Sequence, residues 1–284
     1  MKRIVDLHTH TTASDGSCTP SELVALARTA GLSAVAITDH DSVSGIDEAV
    51  AAGNDMGVEV VPGVEISVGE RDDMHILGLL IDHKNERLNR VMNFLKSSRR
   101  ERNMLMIDRL RNMGFDISYN ELCEQTGADN LGRLHIAYEL EKKGYIKEYG
   151  VAFKSFLSMG GEAYVSRLKL SEREGIDAIL RAGGIPILAH ISYLRKSVGE
   201  IEKTLKRLKA LGLMGVEAYH SSYDEETERL ANDLAEKLEL LKSGGTDFHG
   251  SHRPRVYLGT GRGGMCLPYE LLDELKKAAG QTDS

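Results

Sequence analysis

His8 and His10 are two residues apart at the end of the first apolar run, Arg3–His8. On a strand that spacing sends both imidazoles to the same face, where they can converge on one ion. Thr246-Asp247-Phe248-His249 repeats the spacing much later in the chain. Between them come Asp15 in the loop Ser14-Asp15-Gly16, His40 in Thr38-Asp39-His40-Asp41, Glu65 inside the apolar Gly63-Val64-Glu65-Ile66-Ser67, His75, and the pair Ala189-His190. Taken singly, Asp15 reads as a turn residue and a histidine on an apolar face as a satisfied core residue. A glutamate inside an apolar strand, however, needs a partner or a metal. The bland reading must also be repeated independently for every member of the set. Imidazole mixed with carboxylate suits Mn, Fe or Zn better than an oxygen-only magnesium or calcium cage.

Short apolar runs alternating with amphipathic stretches must position these residues. Arg3–His8 precedes a helix from Pro20 to Gly31, which Thr19 and Glu22 open as a capping box and Gly31 stops. Ala34–Thr38, a helix from Gly45 to Met56, Val58–Val68 broken at Pro62-Gly63, and His75–Ile81 follow. The pattern then changes to a long charged helix, Asn85 to Met113, and shorter helical pieces to about Lys169. Alternation resumes with a second capping box, Ser171 and Glu174, before a helix to Ala182. Ile185–His190, a helix from Val198 to Leu211, Gly215–Tyr219, a helix from Glu225 to Leu238, a short strand into Thr246-Asp247 and a last helix from Tyr269 to Ala279 complete the pass. About seven parallel strands predict a β/α barrel with a helical insertion, or an open doubly wound sheet with the same punctuation. Most of the candidate ligands fall at or near the C-terminal ends of these strands, where barrel enzymes build their sites. The expected division is a barrel from 1–96 and 170–284 with a helical insertion at 97–169.

At 284 residues, 41% hydrophobic and 28% charged, the composition excludes disorder and collagen-like repeats. Three scattered cysteines, Cys18, Cys123 and Cys266, fit a reducing compartment. With no signal-peptide pattern and no apolar run of membrane-spanning length, a cytoplasmic location away from any membrane is expected. The net charge of −7 disfavours wholesale coating of nucleic acid, but the sign is uneven. Lys84 to Lys169 carries 16 Lys and Arg against 11 Asp and Glu, and the rest of the chain 20 against 32, so the insertion is the basic part.

The set His8-Thr9-His10, Asp15-Gly16, Thr38-Asp39-His40-Asp41, Gly63-Val64-Glu65, His75, Ala189-His190 and Thr246-Asp247-Phe248-His249 resembles the PHP (polymerase and histidinol phosphatase) family of metal-dependent phosphoesterases. The resemblance covers about two-thirds of the chain and implies a distorted seven-stranded barrel holding two to three divalent ions, manganese, iron or zinc. It implies that His8, His10 and Asp247 hold a first ion, that Glu65 bridges to a second completed by His75 and His190, and that Asp15, His40 and His249 hold a third. Ile191 departs from the proline common after this histidine. Within the family, the length and the insertion look most like nucleoside 3′,5′-bisphosphate phosphatases and enzymes that trim short RNA from the 5′ end. The expected reaction is hydrolysis of a phosphate monoester of a small nucleotide by a metal-bridging hydroxide, with short RNA as a further partner. No covalent nucleophile is then needed, which leaves Ser14, Ser67 and Cys18 as loop or strand residues.

In the insertion, Arg133, His135, Arg167 and Lys169 are the candidates for contacts to substrate phosphate. Arg99, Arg100 and Arg102 read as surface, Met104, Met106 and Met113 as helical packing, and His83 as a loop residue. Tyr193, Arg195, His220 and His252 lie just beyond strand ends and could touch substrate or protonate the leaving oxygen. Histidinol-phosphate hydrolysis is the alternative within the same chemistry. An amidohydrolase reading lacks a mid-chain lysine at a strand end to carry a carbamate. A non-catalytic, metal-stabilised binding or regulatory module should have lost several ligands, and none is missing.

Overall fold

Thr19 accepts from the backbone N–H of Glu22 at 3.2 Å and Glu22 accepts from that of Thr19 at 2.8 Å, so the first helix, α1 (Pro20–Thr29), starts where its residues dictate. The Ser171/Glu174 box opens α7 (Glu172–Arg181) in the same way, and a third, Ser197/Glu200, opens α8 (Val198–Lys209). In this computed structural model, which describes residues 3–69, 74–126 and 130–281, the strands are β1 (Ile4–Asp6), β2 (Ala34–Ile37), β3 (Glu59–Val68), β4 (Met74–Leu79), β5 (Ile185–Leu188), β6 (Gly215–His220), β7 (Leu241–Gly245) and β8 (Leu267–Pro268). The other helices are α2 (Ile46–Met56), α3 (Glu86–Asn112), α4 (Tyr119–Thr126), α5 (Arg133–Lys142), α6 (Tyr149–Ala152), α9 (Glu225–Lys237) and α10 (Glu270–Ala278). Among the described residues no helix is long and apolar enough to cross a membrane.

The strands form one mixed sheet in the order β7-β6-β5-β4-β3-β2-β1-β8, nearly closed into a barrel. Closure occurs beyond the regular part of β1, where Leu7 N–H reaches Gly244 O at 3.2 Å, Asp247 N–H reaches His8 O at 2.9 Å and His10 N–H reaches Phe248 O at 2.9 Å. Gly245 permits this approach, because a Cβ there would run into the backbone of His8. The expectation of parallel strands throughout is corrected at β4, which runs antiparallel to both β3 and β5. Only residues 69–73 separate β3 from β4, too few for the crossover that a parallel pair requires. Two further departures are local. β3 runs unbroken through Pro62-Gly63, and helix ends at Leu157, after which Gly160, with φ 88°, turns the chain into an irregular segment.

Val5, Leu7, Ala34, Ala36, Val61, Leu77, Leu79, Ile185 and Ile187 fill the lower barrel, with α10 closing its floor through Leu271, Leu272 and Leu275. The period-two alternation then carries the same inward faces upward to Glu65 on β3, His75 on β4 and His40 just past β2. A second cluster packs helices against the outside of the sheet and includes Leu88, Met92 and Leu95 from the first half of α3. The second half of α3 gives Met106, Ile107 and Leu110 to a separate cluster with Ile117, Leu122, Ile136, Leu140 and Leu157. One helix therefore belongs to both bodies.

Candidate metal centre

Glu65 lies at the centre of five imidazoles. Its Oε1 is 2.7 Å from His75 Nδ1 and 2.8 Å from His190 Nε2, and its Oε2 is 2.8 Å from His40 Nδ1, 3.3 Å from His10 Nε2 and 3.5 Å from His8 Nε2. Asp247 Oδ1 approaches His10 Nε2 at 3.3 Å, His249 Nδ1 at 3.4 Å and His8 Nε2 at 3.7 Å. On the far side, Asp15 Oδ1 is 3.3 Å from His249 Nε2, and Asp15 Oδ2 is 3.9 Å from His40 Nε2. Strand order explains the convergence: the antiparallel β4 begins at the rim where its neighbours end, so His75 at its start meets residues at their ends. Asp39 fixes the loop that carries Asp15 by accepting from Thr11 N–H, Thr11 Oγ1 and Ser14 Oγ.

Burial by itself would push the Glu65 carboxyl up, yet His40, His75 and His8 hold it well below the usual carboxylate range. Asp247 is likewise held down against burial by Arg253, His8 and His249, and Asp15 by His40 and His249. Burial, reinforced by His249, lowers His10 to about 3, so it is a neutral donor. His8 goes the other way, since Glu217, Glu65 and Asp247 outweigh its burial and raise it.

This arrangement fits divalent cations. Glu65 Oε2, His40 Nδ1 and His249 Nε2 are buried without a hydrogen-bond partner, although Glu65 Oε2 and His40 Nδ1 face each other at 2.8 Å. His8 and His10 turn Nε2 toward Nε2 at 3.2 Å. Two imidazoles sharing an ion at Zn–N distances of about 2.0–2.1 Å are held roughly 3.3 Å apart at a tetrahedral angle. Groups of donor atoms close enough for one ion are His8/His10/Glu65, His40/Glu65/His75, His10/Asp15/His40/His249 and His8/Glu217/His220.

Beside these donors opens a cavity of about 710 Å³ whose lining includes Asp15, His40, Glu65, His75, His190 and Asp247 together with Arg133, Arg167, Lys169, Arg195 and Arg253. The profile of the PHP domain matches residues 6–166, more than half of the chain. The chain belongs to the PHP family. Its PHP relatives include a 5′-3′ exoribonuclease of Haemophilus influenzae, 32% identical over 88% of this chain and 91% of the relative. A 3′,5′-nucleoside bisphosphate phosphatase of Chromobacterium violaceum is 30% identical over 86% of this chain and 87% of the relative. Among solved structures, a protein of Bifidobacterium adolescentis described as a metal-dependent phosphoesterase superposes with a TM-score of 0.86 at 30% identity, covering 97% of this chain and 96% of that one. This PHP protein is accordingly a metal-dependent phosphoesterase, a hydrolase of phosphate esters. Histidinol-phosphate hydrolysis is not favoured by these relatives.

Several residues lie elsewhere than their sequence suggests. His135 is buried at the start of α5, where its Nδ1 accepts from Gly132 N–H at 2.9 Å, and it does not line the cavity. Arg99 and Arg102 are buried where surface positions were expected, because both face inward from α3 toward the cavity. Met106 packs in the cluster built on the second half of α3, but Met104 and Met113 are exposed. His220 is buried beneath the centre, with Nε2 at 3.5 Å from Asp247 Oδ2. Tyr193 and Arg195 do line the cavity, whereas His252 binds Asp15 O through Nδ1 at 2.9 Å. Ile191 donates its backbone N–H to Tyr223 Oη at 2.7 Å, a bond that a proline could not make. Sequence reasoning missed Arg253, which ion-pairs with Asp247, and Glu217, an acid in an apolar strand like Glu65 and visible by the same signal.

Proposed function

We propose that this enzyme removes a phosphate from a nucleoside 3′,5′-bisphosphate and trims short RNA. The observation that carries this is one cavity lined both by imidazoles and carboxylates and by guanidinium and ammonium groups. His8, His10, Glu65 and Asp247 would hold one ion, Glu65, His75 and His190 a second, and Asp15, His40 and His249 a third. Bound divalent ions of this kind lower the pKa of water, orient the phosphate and neutralise charge on its oxygens, and Mn, Fe or Zn suits the donors. Arg133, Arg167 and Lys169, from the insertion at 97–169 acting as a substrate cap, grip the second phosphate with charge-assisted hydrogen bonds. A cationic lining is a poor host for the ammonium group of histidinol phosphate. The relatives' names support the nucleotide and RNA reading, and the three unpaired cysteines agree with a cytoplasmic setting. The test is phosphate release in added manganese from nucleoside bisphosphates, nucleoside monophosphates, histidinol phosphate and short oligonucleotides. A bisphosphate is expected to be the best of these, and preference for histidinol phosphate or any monophosphate would overturn the proposal.

A further inference from the structure

β6 and β7 pair in parallel with Glu217 opposite Ser243, but the next pairs are Tyr219 with Gly244 and His220 with Gly245. β6 therefore spends two residues where β7 spends one. Regular alternation would send residues three apart to opposite faces, and this bulge instead lets Glu217 and His220 both reach the buried centre. Glu217 is fully buried, and both of its oxygens are engaged. Oε1 faces His8 Nδ1 at 2.8 Å and Oε2 accepts the backbone N–H of His190 at 2.6 Å. His190 has φ 26°, a conformation that non-glycine residues rarely adopt, at the point where its ring turns toward Glu65.

We infer that Glu217 is a positioning residue that serves two ions at once. By taking the Nδ1 proton of His8 in a hydrogen bond, it leaves Nε2 facing His10, Glu65 and Asp247. By holding the His190 backbone, it aims that imidazole at the other oxygen of Glu65. The inference rests on the proposed ligand roles of His8 and His190. Glu217→Gln keeps the shape but can accept from only one of the two donors, while presenting an amide N–H to the other.

The test uses Co²⁺ alone as probe, competed against a chelator, together with the visible absorption of the Co²⁺-loaded protein. Far-UV circular dichroism of the metal-free proteins controls for folding. Glu217→Gln is expected to fold, to bind Co²⁺ about 10- to 100-fold more weakly than wild type and to show an altered cobalt spectrum. Glu217→Ala should lose at least as much, and if it fails to fold the glutamine variant carries the test. Wild-type affinity and spectrum in Glu217→Gln would overturn the role of Glu217 alone. A wild-type protein that takes up no Co²⁺ would overturn the ligand assignments and this inference with them. Neither readout involves substrate, so both are separate from failure of the bisphosphate assay.

Discussion

Arg167, a few residues before α7, and Asp41, next to His40, form a buried ion pair at 2.8 Å. Arg99 from α3 reaches the same Oδ2, and Ser67 N–H donates to Oδ1 at 3.0 Å. One carboxylate past the end of β2 thus ties the middle of α3 and the segment leading into α7 to the rim of the candidate metal centre. The two guanidinium groups hold Asp41 far below the usual carboxylate range in spite of its burial.

Replacing Asp41 with Asn should destabilise the protein by about 3–5 kcal/mol, because two buried guanidinium groups lose their counter-charge. Denaturant unfolding at neutral pH measures this. A change below about 1 kcal/mol would mean that the pair behaves like an exposed one.

Elemental analysis of protein grown with added manganese should find roughly two to three ions per chain, as a clustered phosphoesterase centre requires. His10→Ala and Asp247→Ala should each lower the ion count and abolish most activity. His83→Ala, which removes only a contact to Asp47 at 2.9 Å near the surface, should match wild type in both. Full activity in strong chelator would refute the metal requirement.

Arg133→Ala should impair hydrolysis of a 3′,5′-bisphosphate much more than that of an aryl phosphate, which has no second phosphate to lose. The loss of one charge-assisted contact is worth roughly 1.5–3 kcal/mol, or on the order of ten- to a hundredfold in kcat/KM. Arg133 also reaches Leu157 O at 3.3 Å, so an equal loss on both substrates would trace to a disturbed insertion.

Acid should destabilise the fold partly through His135. Burial, with His252 adding to it, lowers this imidazole to about 4. Between about pH 6.5, the unfolded value, and pH 4 the unfolded chain binds a proton that the folded chain refuses, so stability falls as pH falls, by at most on the order of 3 kcal/mol. His135→Gln should flatten that segment when the two proteins are unfolded in chelator across this range. Parallel curves for the two proteins would contradict it.

The residues that converge on Glu65 and Asp247 were legible because their spacing is local: two-residue pairs, an acid in an apolar run, histidines at or near strand ends. Strand direction at β4 was misread as parallel, because hydrophobic periodicity carries no direction; only the short connection, too short for a crossover, marks the antiparallel pair. What the sequence hid depends on long-range pairing. Arg99 is 58 residues from Asp41, and nothing in an arginine-rich helix distinguishes the turn facing a carboxylate from the turn facing water. His135 was misplaced for a related reason: its nitrogen serves the backbone of its own helix start, a local bond that competes with any ligand. Glu217 carried the same signal as Glu65, an acid in an apolar strand; what the bulge hid is that His220, three residues on, reaches the same buried centre.

Closure of the barrel between His8 and Asp247 also sets an order of events in folding. The donors just past β1 stay incomplete until the segment after β7 arrives, more than two hundred residues later, and such distant contacts are slow to form. A nascent chain that has passed α3, and even the capping boxes that open α7 and α8, can have much of its helix and sheet without the ion site. Metal capture is therefore tied to synthesis through Asp247 rather than to any early fragment, and bound ions would stabilise only the form in which the segments after β1 and β7 have met.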